Sequence, residues 1–273
     1  MKPFIGRQKE LKKLHLLKNK RAASFVVIRG RRRIGKSRLI QEFSGSIPSH
    51  IFSGLPPTKG TTRRSQLDDF AKQMARVFGL PPFKGEDWGE LFYYLGKQCE
   101  RGPQLIALDE ISWIGSKDPD FLGQLKNAWD LYFSKNPELI LIVCGSVSSW
   151  IERNILGSTG FLGRIALDLH LRELPLEEAA EFWNAHKRKV APYERFKILS
   201  ITGGVPRYLE EVQPSLTAEE NIEQLCFEES GLLYREFDRI FSDLFSSRAP
   251  TYAHIVQILA EGSKSLDEVG QLL

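Results

Sequence analysis

Apolar residues fall into two rhythms along the first two thirds of the chain. Short unbroken runs at residues 25–28, 105–108 and 139–144 have the length and composition of buried strands. Residues 165–171 alternate as a further strand does. Between these runs, apolar positions recur every three or four residues. Leu39, Ile40 and Phe43 share one face of a helix over 37–43. Leu67, Phe70, Ala71, Met74, Val77 and Phe78 line one over 62–78. Trp88, Leu91, Phe92 and Leu95 line another over 87–99, with Asp87 and Glu90 placed to cap its start. Asp118-Pro119 predicts the opening of the next helix, by cap and first-turn proline, with Phe121, Leu122, Leu125, Ala128, Trp129 and Tyr132 inward. Strands alternating with helices predict an α/β fold with a parallel sheet and flanking helices.

After Pro175 the strand pattern stops. Leu176, Ala179, Ala180 and Trp183 share a helix face, further helices follow, and Thr217/Glu220 and Ser265/Glu268 have the spacing of capping boxes. Tyr252, Ile255, Val256, Ile258 and Leu259 recur at helix spacing ahead of Gly262 and the second of those caps. A helix, a short turn and a capped helix is how a winged helix-turn-helix begins, and the recognition helix that should come next is absent. The expected domains are a core over 1–172, an all-α segment over 173–246 and an incomplete winged-helix segment over 247–273. Residues 54–61, rich in Pro, Gly and Thr, read as an exposed loop.

Composition narrows the class without naming a chemistry. The 273 residues are 42% hydrophobic and 26% charged, which fits a folded chain of one large or two ordinary domains. The longest apolar run, 139–144, is far short of the about 20 residues that cross a bilayer. The lysine-studded first 17 residues lack the apolar centre of a secretory signal. Cys99, Cys144 and Cys226 have neither disulfide-framework nor zinc spacing, so a cytoplasmic setting and no membrane partner are expected. Charge is distributed unevenly. Residues 1–40 hold 14 Lys+Arg and a single acid, Glu10, whereas the remainder carries a net −9. Such asymmetry points to an anionic ligand.

The ligand is suggested by Gly30-Arg31-Arg32-Arg33-Ile34-Gly35-Lys36-Ser37, a complete GxxxxGK[ST] loop between a predicted strand and a predicted helix. Gly30 and Gly35 let the backbone curl so that successive N–H groups face a phosphate, and the following helix adds its positive end. Lys36 then reaches the β- and γ-phosphates, and the Ser37 hydroxyl ligates Mg²⁺. Leu108-Asp109-Glu110 ends a predicted strand. Asp109 is placed to hold Mg²⁺ there, and Glu110 to polarise an attacking water as general base. Gly145-Ser146 ends the third run. Ser146 is placed to bond the γ-phosphate or attacking water, or to cap a helix over 147–155, and the two roles are compatible. Arg29, Arg31, Arg32, Arg33 and Arg38 crowd the loop, and three readings stay open for them: charge for the nucleotide phosphates, nucleic-acid contact, or a solvated face. The lysines at 9, 12, 13, 18 and 20 read mainly as a solvated helix face.

Phe4-Ile5-Gly6-Arg7 with Glu10-Leu11, the glycine-rich loop, Ala107-Leu108-Asp109-Glu110, Cys144-Gly145-Ser146, Phe161-Leu162-Gly163-Arg164 and Thr202-Gly203-Gly204-Val205-Pro206-Arg207-Tyr208 occur in one order. In that order they resemble the archaeal-type ATPase family, an AAA+-like branch of P-loop ATPases near the STAND and origin-recognition ATPases. The resemblance implies ATP rather than GTP, a helical lid after the core, and a winged helix with a nuclease-like domain beyond, so that this chain corresponds to the front part of a longer design. It implies that residues 4–7, Gly6 and Arg7 among them, line the adenine side, and that Ser146 is the sensor. Arg164 is then a γ-phosphate contact, from its own chain or a neighbour's. Gly203, Gly204 and Pro206 form a lid motif, and Arg207 is a second sensor. Local alternatives remain: Gly203-Gly204 as a helix end, Pro206 as a first-turn proline, and surface ion pairs for Arg164 and Arg207. The expected activity is Mg²⁺-dependent ATP hydrolysis coupled to a nucleic-acid or protein partner, with a homo-oligomer as one option. A slow-turnover ATP switch is the rival.

Overall fold

Phe25, Val26, Val27 and Ile28 are fully buried because their strand lies inside a sheet with neighbours on both sides. In the computed structural model, which describes residues 3–58, 60–184, 190–234, 236 and 249–273, the chain divides into two compact units, Met1–Leu174 and Pro175–Leu273. The expected boundary between 246 and 247 lies outside the described residues.

The first unit holds five parallel strands: β1 (Ser24–Arg29), β2 (Ser49–Ser53), β3 (Gln104–Asp109), β4 (Leu139–Gly145) and β5 (Ile165–His170), in the order β2-β3-β4-β1-β5. Its helices are α1 (Gln8–Leu17), α2 (Lys36–Ser44), α3 (Arg63–Phe78), α4 (Trp88–Gln98), α5 (Ile111–Ile114), α6 (Phe121–Leu131) and α7 (Ser148–Ile151). β4 is buried at every position, as its unbroken apolar run requires of a strand covered on both faces. α3, α4 and α6 close an aromatic core over the sheet. Trp88 meets Phe121 at 5.0 Å and Phe92 at 5.7 Å between ring centroids, and Phe70 meets Phe52 at 4.8 Å. Each such aromatic buries roughly 150–250 Å², about 4–6 kcal/mol of hydrophobic free energy before its entropy cost.

The parallel sense places all strand C-termini at one edge. Arg29 pairs across with Gly145 and with His170, Leu108 with Val143, and Ser53 with Asp109. Three loops important for chemistry therefore leave the sheet side by side.

Three local expectations change. β2 is an additional edge strand, whose last residue is held by Gln73: its amide accepts from Ser53 N at 2.9 Å and donates to Ser53 O at 2.8 Å. α6 begins at Phe121, two residues after Pro119; Asp118 Oδ1 makes a cap-like bond from Asp120 N (3.0 Å) ahead of it, while Oδ2 accepts from Arg63 (2.5 Å). The helix expected over 147–155 is a single α-turn, α7, followed by a π-helical turn at Glu152–Leu156.

The second unit is all helix among its described residues. It contains α8 (Leu176–Asn184), α9 (Pro192–Thr202), α10 (Pro206–Leu209), α11 (Ala218–Ile222), and helices at Ala249–Ala260 and Leu266–Leu272. Thr217/Glu220 and Ser265/Glu268 form the expected capping boxes. The Asn221 side chain ties α11 to the preceding turn, donating to Gln213 O and accepting from Gln213 N. No helix of the described residues is long and apolar enough to cross a membrane.

Candidate active site

β1 ends in the glycine-rich loop of residues 30–37. At Gly30 a Cβ would stand 2.4 Å from the Leu171 carbonyl oxygen, so no other residue fits beside β5's exit. Further along, Arg33 (φ 65°) and Gly35 (φ 92°) take left-handed conformations, which turn successive amides toward a common centre. Ile34 is fully buried and anchors the loop. α2 then starts at Lys36 with no side-chain cap and no acid in its first turn, so its amides and positive end are left for an anion. Lys36 Nζ donates to Gly30 O at 2.9 Å and Arg31 O at 3.1 Å. Burial holds this ammonium below the usual lysine range, an effect opposed mainly by the Glu110 carboxylate.

Asp109 and Glu110 face that loop. Ser37 Oγ donates to Asp109 Oδ2 at 2.7 Å. Two hard oxygens in contact, beside a phosphate cradle, suit Mg²⁺, which takes one or two protein oxygens and fills its other positions from phosphates and water. Asp109 Oδ1 accepts from Glu110 N at 3.0 Å and from the Cys144 thiol at 2.7 Å. Burial first, and then Asp109, push the Cys144 thiol far above its ordinary value, so it stays a proton donor. Glu110 itself sits in the left-handed region (φ 52°), a conformation that costs a non-glycine residue about 1–2 kcal/mol. From there its Oε2 accepts from Ser146 N at 3.1 Å and Ser146 Oγ at 3.0 Å. Ser146 is thus bonded to the second carboxylate and is not a helix cap; α7 is preceded by Val147, without a side-chain cap.

The other expected residues divide. Arg7 is buried, and its guanidinium donates to Ile34 O at 3.1 Å and to Arg172 O, so it braces the loop from below. Gly6 precedes it with φ 71°. Arg38 lies 6.0 Å from the Phe4 ring and pairs with Glu42, Arg32 lies 5.8 Å from the Trp113 ring, and Arg31 pairs with Glu173. Arg29 is held by Asp168 and Glu152.

Arg164 is not brought to the loop of its own chain. It precedes β5, whose first residue pairs with Phe25 at the start of β1. The loop leaves the other end of β1, a strand length away, roughly 15 Å at about 3.3 Å per residue. There Arg164 forms a bidentate pair with Asp130 at 2.7 and 2.9 Å. A γ-phosphate contact by Arg164 within one chain is therefore corrected.

Pro206 and Arg207 belong to the second unit. Pro206 is the first residue of α10, Gly203 (φ 55°) ends α9, and Arg207 pairs with Glu210 and Glu211. Cys144 and Trp113 beside the site were not anticipated. Cys144 is hidden in an apolar run, and only the β3–β4 register brings it to Asp109.

Comparison with known proteins bears on the fold and the family. A family described as an ATPase domain predominantly from Archaea matches residues 4–212. An uncharacterized protein of Methanocaldococcus jannaschii is 26% identical over 271 residues, covering 99% of this chain and 57% of the relative; the chain thus spans little more than half of that relative's length. Among solved structures, a Walker-type ATPase of Pyrococcus abyssi superposes with a TM-score of 0.58 at 17% identity, over 94% of this chain and 76% of that one. The Aeropyrum pernix ORC2 protein, solved with ADPNP and ADP, gives 0.56 at 13% identity over 100% and 87%. Thermotoga maritima RuvB gives 0.53 at 15% identity over 94% and 82%. These three similarities are of fold. With more than half its length matched by the family, the chain belongs to the ATPase domains found predominantly in Archaea.

Proposed function

We propose that this chain binds ATP with Mg²⁺ at the C-terminal edge of β1, β3 and β4, and hydrolyses it. The observation that carries the reading is the convergence of Lys36, Ser37, Asp109 and Glu110 on one glycine-walled cradle. Backbone amides of residues 30–37 and the α2 N-terminus hold the phosphates. Lys36 moves from its two loop carbonyls to the β- and γ-phosphates, a short exchange of acceptors. Ser37 and Asp109 would hold Mg²⁺, which when bound would supply positive charge to offset that of the phosphates. Glu110 orients water and takes its proton, and Ser146 fixes the carboxylate that does so.

Ser146→Ala tests that last role. It removes the hydroxyl donor but keeps the amide donor. Turnover is expected to fall by about ten- to a hundredfold, the size of one hydrogen bond to a charged group, while ATP affinity stays within about twofold. Unchanged turnover would take Ser146 out of the mechanism.

The second unit is proposed to couple nucleotide state to a protein or nucleic-acid partner, with residues 173–246 as lid, 247–273 as the start of a winged helix, and Pro206 and Arg207 as its nucleotide-responsive residues. Because Glu110 is already engaged by Ser146, a slow switch is the second reading. ATP turnover measured against protein concentration, with and without duplex DNA, separates the two. Specific activity that climbs with concentration and is lost in Arg164→Ala assigns Arg164 to a neighbouring copy's site. Constant specific activity confines hydrolysis to one chain. ATP binding with negligible turnover under every condition establishes the switch.

A further inference from the structure

Away from the cradle, the first unit carries a hollow of about 490 Å³ between α6 and residues 153–161. Its walls include Lys126, Arg153, Ser158 and Thr159 but no acidic residue. Arg153 uses only Nε locally, donating to Ser149 O at 3.3 Å, and among the described residues it has no carboxylate partner. The stem of Lys126 runs past Gly160, whose Cβ position lies 4.0 Å from Lys126 Cγ. Asp130, one turn along α6 from Lys126, is claimed by Arg164 at 2.7 Å and by Lys126 at 2.9 Å. Bonds from those two cations pull its carboxyl down to about 2, so it stays ionised yet is outnumbered by Lys126, Arg153 and Arg164. The floor is apolar, with Phe161 buried and Leu122 partly so.

A guanidinium fork, an ammonium and two hydroxyls around a cleft match the many acceptor oxygens of a phosphate better than the two of a carboxylate. The volume lies in the range of ligand pockets and exceeds what one inorganic anion fills, and the apolar floor provides a seat for an organic group. We infer that this hollow binds a phosphate ester, a nucleotide or a stretch of nucleic-acid backbone, at a site separate from the phosphate loop. Arg153 supplies the fork, Lys126 the second charge, and Ser158 and Thr159 the hydroxyl donors.

The test uses the full chain carrying Lys36→Ala, which silences the phosphate loop, titrated with pyrophosphate at low salt by calorimetry. Saturable binding of one equivalent is expected, weakened at least tenfold by adding Arg153→Ala and Lys126→Ala. Should the Lys126 change disturb the fold by freeing Asp130, Arg153→Glu alone is expected to weaken binding at least as much. A single-stranded oligonucleotide is then added as competitor. Displacement of pyrophosphate names nucleic acid as the source, and its absence names small phosphate esters; either supports the site. No saturable pyrophosphate binding in the Lys36→Ala chain, or binding indifferent to Arg153 and Lys126, overturns it. Because the phosphate loop is silenced throughout, this outcome is independent of whether that loop hydrolyses ATP.

Discussion

Lys36→Ala is expected to weaken ATP binding by at least about a hundredfold while leaving the chain folded. The ammonium is the one cation buried inside the phosphate loop, and without nucleotide it donates to Gly30 O and Arg31 O. In the complex it exchanges those carbonyls for phosphate oxygens. A hydrogen bond to a charged group is worth about 1.5–3 kcal/mol. Losing two, in a site screened from water, lowers affinity by about a hundredfold or more. The cost to folding is smaller, because burial already opposes the charge and the carbonyls left behind lie beside an open cradle. Thermal denaturation with and without Mg²⁺·ATP reads both effects. The unaltered chain gains about 2.7 kcal/mol at a ligand concentration a hundred times its Kd, and the variant gains at most about 0.4 kcal/mol at the same concentration. A variant stabilised by ATP as strongly as the unaltered chain would show that Lys36 does not hold the phosphates.

The parts of the site that could be read in advance are those whose chemistry dictates residue types at fixed spacing. A loop that wraps a phosphate needs its glycines, lysine and hydroxyl in one octet, so Gly30 to Ser37 announced itself, and the strand before it and helix after it formed as periodicity required. Asp109 and Glu110 were legible because an acid pair closed an apolar run. What distant pairing decides was less so. Ser49–Ser53 has only Ile51 and Phe52 as a strand signal; it becomes β2 by docking on β3 and on Gln73. Cys144 looks like any buried residue of β4 until the sheet register sets it against Asp109. Asp118 has the composition of a helix cap, yet Arg63, fifty-five residues earlier, claims one oxygen of its carboxylate. Arg164 is instructive in the other direction. A residue immediately before a parallel strand must lie at the edge opposite the phosphate loop, so its distance was implicit in the order of elements. Motif resemblance alone drew it toward the nucleotide.

Glu110→Gln is expected to separate binding from hydrolysis. The substitution keeps shape and one carbonyl-type acceptor, so Ser146 N and Oγ retain a partner where Glu110 Oε2 stands. Asp109, Ser37 and Lys36 keep their hydrogen bonds, and the main chain at 110 keeps its donation to Asp109 Oδ1; Lys36 loses the Glu110 charge that offsets its burial, a charge the phosphates of bound ATP replace. The left-handed backbone at this position is paid for by glutamate and glutamine alike. ATP affinity and the ATP-induced thermal shift should therefore stay within about twofold. An amide cannot accept the proton of an attacking water. Removing a general base of this kind lowers turnover by about 10²–10⁴, so single-turnover hydrolysis should slow by that factor with the bound nucleotide remaining ATP. The same variant distinguishes the two functional readings. If hydrolysis in the unaltered chain runs through Glu110, the glutamine form accumulates the ATP-bound state and holds any partner that prefers it. If turnover is equal in both chains, the carboxylate bonded to Ser146 is a structural strut, and the cradle is a binding site whose output is conformation.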